Sequence, residues 1–244
     1  MSQTDAAAAA RASLSELLGP LALSLPAGAL DALEHYVALL LSANERLNLT
    51  RVVEPDAVAR LHLLDALAAL PLLDAASPAR AVDLGSGGGV PGIPLAIARP
   101  ETDWLLVESV AKKAAALSSF VDALGLRNVS VLVQRAEALG RDPGYRERFD
   151  VATARACAAL PVLVELALPL LRVGGELIAW KGPLTDGDEE VRRGRLASGQ
   201  LGAGPLRIVA AGVERHTFVV VPKFARTAAR FPRRPGEPGR RPLG

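Results

Sequence analysis

The residues best suited to chemistry run Val82-Asp83-Leu84-Gly85-Ser86-Gly87-Gly88-Gly89-Val90-Pro91-Gly92. An apolar strand leads into them and a helix is predicted to follow, with Pro91 suited to a first helical position. Glycines at 85, 87 and 89 let the backbone turn tightly and approach a ligand with no Cβ in the way. Backbone N–H groups there and at the helix start offer donors to a polar ligand. Two ligands compete for this loop. Gly87, Gly89 and Gly92 satisfy G-x-G-x-x-G, with Glu108 about 20 residues on to hold a ribose, as in a dinucleotide site. That register starts late, because Gly85 already ends the strand. The other pattern is acid-x-Gly-x-Gly-x-Gly, with Asp83 two residues before Gly85. A carboxylate there suits a ligand carrying a cationic amino group, as S-adenosylmethionine does, and repels a pyrophosphate. Asp83 favours S-adenosylmethionine.

Glu108 ends the second predicted strand, where its carboxylate can accept both ribose hydroxyls; Ser109 and Val110 would flank the adenosine. The bland alternative is an exposed acid near Lys112 and Lys113 at a helix start. Ala136 and Glu137 follow the third strand, and the C-terminal ends of parallel strands face the ligand crevice, which places them near an adenine. Taken alone, that triplet with Arg135 fits an ordinary loop equally well.

The fourth strand should carry the catalytic apparatus, yet it reads Asp150-Val151-Ala152-Thr153-Ala154-Arg155-Ala156-Cys157. It lacks the Asn/Asp-Pro-Pro-aromatic loop that holds exocyclic amino groups. Cys157 is the lone candidate nucleophile, and a small buried side chain is the expected reading. What remains is an acceptor with a free lone pair, such as guanine N7, which needs positioning rather than a general base. Arg155 stands where such a substrate would arrive, able to hold a phosphate, a guanine edge or the cofactor carboxylate; a surface ion pair is its alternative. Lys181 ends the fifth strand, where it can neutralise a backbone phosphate. Arg155 and Lys181 are the candidate catalytic residues, and Arg155→Ala is expected to cost activity far more than stability.

These positions need a scaffold. Leu14 to Leu73 reads helical, with long apolar periodicity around Ala29–Leu49 and Ala57–Leu73. From Ala79 the pattern changes to short apolar strands alternating with helices, the mark of a parallel sheet. Predicted strands are Ala81–Leu84, Trp104–Glu108, Val129–Val133, Asp150–Thr153, Glu176–Trp180, Leu206–Ala211 and His216–Val221. Only Gly212 to Arg215 separate the last two, so they form an antiparallel hairpin. The expected fold is α/β: a Rossmann-like class I methyltransferase fold with a mostly parallel seven-stranded sheet, a C-terminal antiparallel hairpin and an N-terminal helical extension. The expected divisions are a helical extension over 1–76, an S-adenosylmethionine-binding domain over 77–223 and a basic Pro/Gly-rich tail over 224–244.

Composition narrows the class. At 50% hydrophobic and 22% charged, 244 residues can bury a sizeable core. One cysteine excludes an intrachain disulfide, and the scattered histidines 35, 62 and 216 offer no zinc motif. Met1 to Ala10 shows no secretory pattern, and the apolar window Ala158–Leu171 is too short for a bilayer, so a cytoplasmic protein without a membrane partner is expected. Lys223 to Gly244 holds seven Lys or Arg against one acid, Glu237, which leaves −4 for the rest. A cationic arm on an acidic body suits a polyanion, and a solubilising end is equally consistent. Removing the residues after Lys223 is expected to flatten the salt dependence of RNA binding.

Asn44-Glu45-Arg46-Leu47-Asn48-Leu49-Thr50, His62-Leu63-Leu64-Asp65, Asp83 to Pro94, Thr153-Ala154-Arg155-Ala156 and Trp180-Lys181-Gly182 together resemble the RsmG (GidB) family of 16S ribosomal RNA guanine-N7 methyltransferases. So does the tail Phe231 to Pro238. The resemblance spans roughly Leu33 to Leu243, and Gly-Val-Pro-Gly-Ile-Pro is its most specific part. It implies methylation of N7 of one guanine near the decoding centre, with 16S RNA or the 30S subunit as partner, and a monomeric enzyme. It also implies cofactor contacts at Gly85, Val90, Glu108 to Val110, Ala136, Glu137 and Arg155. In the helical segment, Asp65 is expected to pair with His62 on one helix face; Asn48 and Thr50 are caps or pocket-rim residues. The alternatives are a nicotinamide oxidoreductase and a non-catalytic RNA- or ribosome-binding protein.

Overall fold

The computed structural model describes residues 2–21, 23–213 and 216–244. Helix α1 (Gln3–Leu18) starts at a reciprocal cap in which Ser2 Oγ accepts from the Asp5 N–H and Asp5 from the Ser2 N–H. Its buried face is mostly alanine, which lets it lie close to α2 (Ala29–Leu47). Leu33, Tyr36, Val37, Leu40 and Leu41 form the apolar stripe of α2 at helical spacing. Asn48 ends α2 in the left-handed conformation (φ 49°), so capping is its observed role. A third helical run follows without a break: α3 (Pro55–Val58), a π-helical segment (Ala59–Leu64) and α4 (Asp65–Leu67); α5 (Leu70–Ala76) then leads to the sheet.

The strands are β1 (Arg80–Leu84), β2 (Asp103–Glu108), β3 (Val129–Val133), β4 (Phe149–Arg155), β5 (Leu171–Lys181), β6 (Arg207–Ala210) and β7 (Thr217–Pro222). Helices α6 (Gly92–Ala98), α7 (Ala111–Leu124), α8 (Ala136–Leu139), α9 (Leu160–Ala167) and α10 (Glu189–Gln200) separate them, and α11 (Glu237–Arg240) follows the last. The sheet order is β3-β2-β1-β4-β5-β7-β6, with β1 to β5 parallel and β7 antiparallel to both β5 and β6. The expected fold class is therefore observed, including the final hairpin. Of its predicted turn, Glu214 and Arg215 lie outside the described residues. β4 and β5 run longer than expected, because their backbone pairing extends from Phe149 against Leu171 to Arg155 against Trp180, beyond the apolar runs.

Two apolar layers cover the faces of the sheet. One joins α1 and α2 to Ala81, Leu106, Val151, Ile178 and Phe218. The other joins α9 and α10 to Val82, Leu105, Ala152, Leu177 and Val219. The N-terminal helices thus share a core with the sheet. The C-terminal segment is a packed strap rather than an arm awaiting a partner. Lys223 is fully buried, its Nζ donating to the Leu168 and Leu171 carbonyls and to Glu147. Phe231 is buried, and Arg233 forks onto the fully buried Glu165. Among the described residues, no helix is long and apolar enough to cross a membrane.

Candidate active site

The glycine loop leaves β1 with Gly85, Gly87 and Gly89 at φ of 70°, 54° and 100°, a region that L side chains rarely adopt. A Cβ on Gly85 would lie 2.9 Å from that of Cys157, and one on Gly89 would lie 2.6 Å from Ile93. The loop is held from three sides. The N–H groups of Gly85 and Ser86 donate to the Val107 carbonyl, Gly87 N–H donates to Glu108, and the Tyr36 hydroxyl donates to the Gly88 carbonyl. Val90 and Pro91 lead into α6, which starts one residue later than expected, at Gly92.

Asp83 does not line a cleft. It lies beneath the loop, 1% exposed, where Oδ1 accepts from Thr153 at 2.7 Å and Oδ2 has no hydrogen-bond partner among the described residues. Burial pushes its carboxyl up to about 6. Glu108 is brought to the loop as expected, but two backbone donors already hold it: Gly87 N–H at 3.0 Å and Val110 N–H at 2.8 Å. Each of its oxygens keeps a further lone pair for a hydroxyl.

A cleft of about 280 Å³ opens at the ends of β1 to β4, lined by Gly85, Ser109, Ala136 and Glu137 among the expected residues. Gln134, Cys157, Ala158, Gly236 and Gly239 also line it, and none of these was anticipated as a contact. Cys157 is a correction: it is exposed at the cleft rather than buried. The protein around the thiol, together with the Asp83 carboxylate, nevertheless pushes it up to about 11, so it stays protonated and is a poor nucleophile. Glu137 is turned partly away. Burial opposes its ionisation, but the Arg135 fork and the Gly236 N–H hold it below the usual carboxylate range.

Arg155 leaves the cleft in the opposite direction. Its NH1 donates to the Leu61 carbonyl at 2.5 Å and to Asp65 at 2.9 Å, and its NH2 approaches His62 Nδ1 at 3.1 Å. Asp65 pairs with Arg155 and with His216, not with His62 as its spacing suggested, because the π-helical segment aims it across at β4 and β7. His62 instead meets Thr50 Oγ1 through Nε2 at 2.7 Å. Burial and the Arg155 cation hold His62 down to about 4, so the ring is neutral; Nδ1 lies 3.1 Å from both Arg155 NH2 and the Leu61 carbonyl, and the tautomer protonated at Nε2 is the one that can accept from Arg155. Lys181 is also committed: Nζ donates to the Ala158 carbonyl at 2.8 Å and to Glu190 at 2.6 Å. A second cleft of about 280 Å³ lies here, lined by Asp65, Arg155, Ala156, Trp180, Lys181, Gly182 and His216.

The two clefts meet on one turn. Arg155 and Ala156 line the second, and Cys157 and Ala158 line the first. Ala156 holds φ at 54°, a strained value for a residue with a Cβ, of the kind that gathers at functional sites.

Residues 29–217 match the family described as GidB, rRNA small subunit methyltransferase G. The chain belongs to this family. A ribosomal RNA small subunit methyltransferase G of Roseiflexus castenholzii is 45% identical over 217 residues, covering 88% of this chain and 92% of its own. The one of Carboxydothermus hydrogenoformans is 40% identical over 236 residues, covering 95% and 99%. Among solved structures, cofactor-bound Rv0187 from MTB aligns with a TM-score of 0.56 at 21% identity, over 78% of this chain and 90% of that one. A putative O-methyltransferase from Klebsiella pneumoniae gives 0.53 at 19%, over 86% and 96%. These two likenesses bear on the fold.

The methyltransferase G family gives the first cleft its meaning, and its residues fit S-adenosylmethionine. An orphaned, buried Asp83 oxygen under the loop favours a cationic group above it, a glycine cradle admits close backbone approach, and Glu108 has lone pairs left for a diol.

Proposed function

We propose that this chain is an S-adenosylmethionine-dependent methyltransferase that modifies N7 of one guanine of 16S ribosomal RNA, near the decoding centre. When bound, S-adenosylmethionine supplies an electrophilic methyl group on a sulfonium. The chain's own residues would bind and orient. Gly85 and Ser109, which line the cleft, would border the adenosine, Glu108 would accept from the ribose, and Ala136 would pack at the adenine end.

One observation carries this reading: in a chain of this family, a glycine-loop cleft and a second cleft adjoin across Arg155–Ala158. The turn between them presents no deprotonated thiol, and the nearest cations, Arg155 and Lys181, are held by carboxylates. Guanine N7 has an in-plane lone pair, so a site that only positions the base is sufficient. Arg155 and Lys181 thus act by fixing the walls and charge of the second cleft.

The test is transfer of labelled methyl groups from S-adenosylmethionine to 30S subunits and to naked 16S RNA from an unmethylated strain. Label entering either substrate supports the reading. Cofactor binding without label in either RNA would move the activity to another acceptor.

A further inference from the structure

The second cleft holds one titratable side chain that neither the sequence reading nor the family resemblance assigns. His216, at the head of β7, lines it, and its Nδ1 lies 2.8 Å from Asp65 Oδ1. Asp65 is fully buried, and its other oxygen accepts from Arg155 NH1. A guanidinium keeps its protons, so the Asp65 carboxylate is an acceptor on both sides and Nδ1 must carry the hydrogen. The Trp180 indole donates to the Asp65 backbone carbonyl at 2.9 Å, which fixes this wall from behind. In the neutral ring the opposite nitrogen, Nε2, is then a lone-pair acceptor. It meets no partner among the described residues, and the side chain is 35% exposed.

We infer that His216 reads the target base, accepting a hydrogen bond at Nε2 from the Watson–Crick edge of the guanine. This rests on the proposed acceptor. An enzyme that alkylates N7 must leave that nitrogen unbonded, which leaves the Watson–Crick edge free to be read, as it is when an extruded base is held in a pocket. Guanine offers donors at N1 and at its amino group. Adenine offers a lone pair at N1, which would face the lone pair of Nε2. The cleft, about 280 Å³, suits a single base. Its neighbour across Arg155–Ala158 is the glycine-loop cleft, so a base held by His216 has its far edge available to that side.

The experiment compares wild type, His216→Asn and His216→Gln on unmethylated 30S subunits, with S-adenosylmethionine affinity measured separately by calorimetry. Asn keeps an N–H for Asp65 but has nothing at the Nε2 position, whereas the longer Gln returns a carbonyl there. The expected result is at least a tenfold loss of kcat/KM for the subunit with Asn, carried by KM, and recovery of most of it with Gln. Cofactor Kd should stay within about twofold in both. Wild-type kcat/KM in the Asn variant overturns the assignment, as do equal losses in both variants or a parallel loss of cofactor affinity. If wild type itself forms no 7-methylguanosine, the proposed acceptor falls first and the inference with it.

Discussion

The Tyr36 hydroxyl donates to the Gly88 carbonyl at 2.8 Å, so a helix 52 positions upstream grips the glycine loop. Tyr36 is fully buried and packs edge-on to Phe120. The N-terminal helices therefore shape the cofactor cleft rather than merely precede it. Tyr36→Phe removes one hydrogen bond, about 1 kcal/mol, and leaves the packing in place. S-adenosylmethionine affinity should fall several-fold by calorimetry with a small drop in Tm. Unchanged affinity would detach the helices from the site.

Arg155 joins the same helices to β4. Arg155→Ala leaves the fully buried Asp65 facing His216 alone, and breaking one partner of a buried pair costs roughly 3–5 kcal/mol. Thermal stability should fall by several degrees along with activity, which revises the expectation of a selective activity loss. Arg155→Lys restores charge but cannot span Leu61, Asp65 and His62 at once, and should recover only part of the stability. A wild-type melting curve for Arg155→Ala would contradict the network.

Asp83 sets a pH dependence. Its folded pKa of about 6 lies above the ordinary 3.8, so the folded state binds this proton more tightly than the unfolded chain. The resulting stabilisation is full below about pH 4 and is lost as pH rises through 6. Asp83→Asn removes that titration. The variant's Tm relative to wild type should therefore climb between pH 4 and 7, and a difference independent of pH would refute the shift.

The strap alters how the cationic end must be tested. Truncation after Lys223 would strip Arg233 from buried Glu165 and remove buried Phe231, so it would damage the fold before it reported on RNA. Arg234, Arg240 and Arg241 are exposed instead. Changing all three to Gln should lower the slope of log K against log salt for RNA binding by roughly 2, at about 0.7 for each phosphate no longer neutralised. Tm should stay near wild type. An unchanged slope would remove these arginines from the RNA surface.

Much of this was legible because periodicity and turn chemistry are local. All seven strands followed from short apolar runs between turn residues, and Asp83 to Gly92 announced a strand, a loop and a helix in order. Helix α1 was covered only by the general expectation of a helical extension and got no bounds of its own, because its buried face is alanine, which gives little contrast against its outer face. Pairings over long separations stayed hidden: Gly236 with Glu137, and Asp65 with His216. Spacing of three residues suggested His62 with Asp65, but the π-helical segment rotates the two apart. The tail read as free because Pro and Gly break periodicity, yet its ion pairs with Glu147 and Glu165 anchor it.

The central claim is a methyl group placed on guanine N7 by a site that positions without acid–base chemistry. Its most direct measurement is nucleoside analysis of 16S RNA after reaction of unmethylated 30S subunits with labelled S-adenosylmethionine. The account predicts label in 7-methylguanosine alone. Label in a methylated exocyclic amine or at a pyrimidine carbon would contradict it, since those acceptors need groups that the turn at Arg155–Ala158 does not supply.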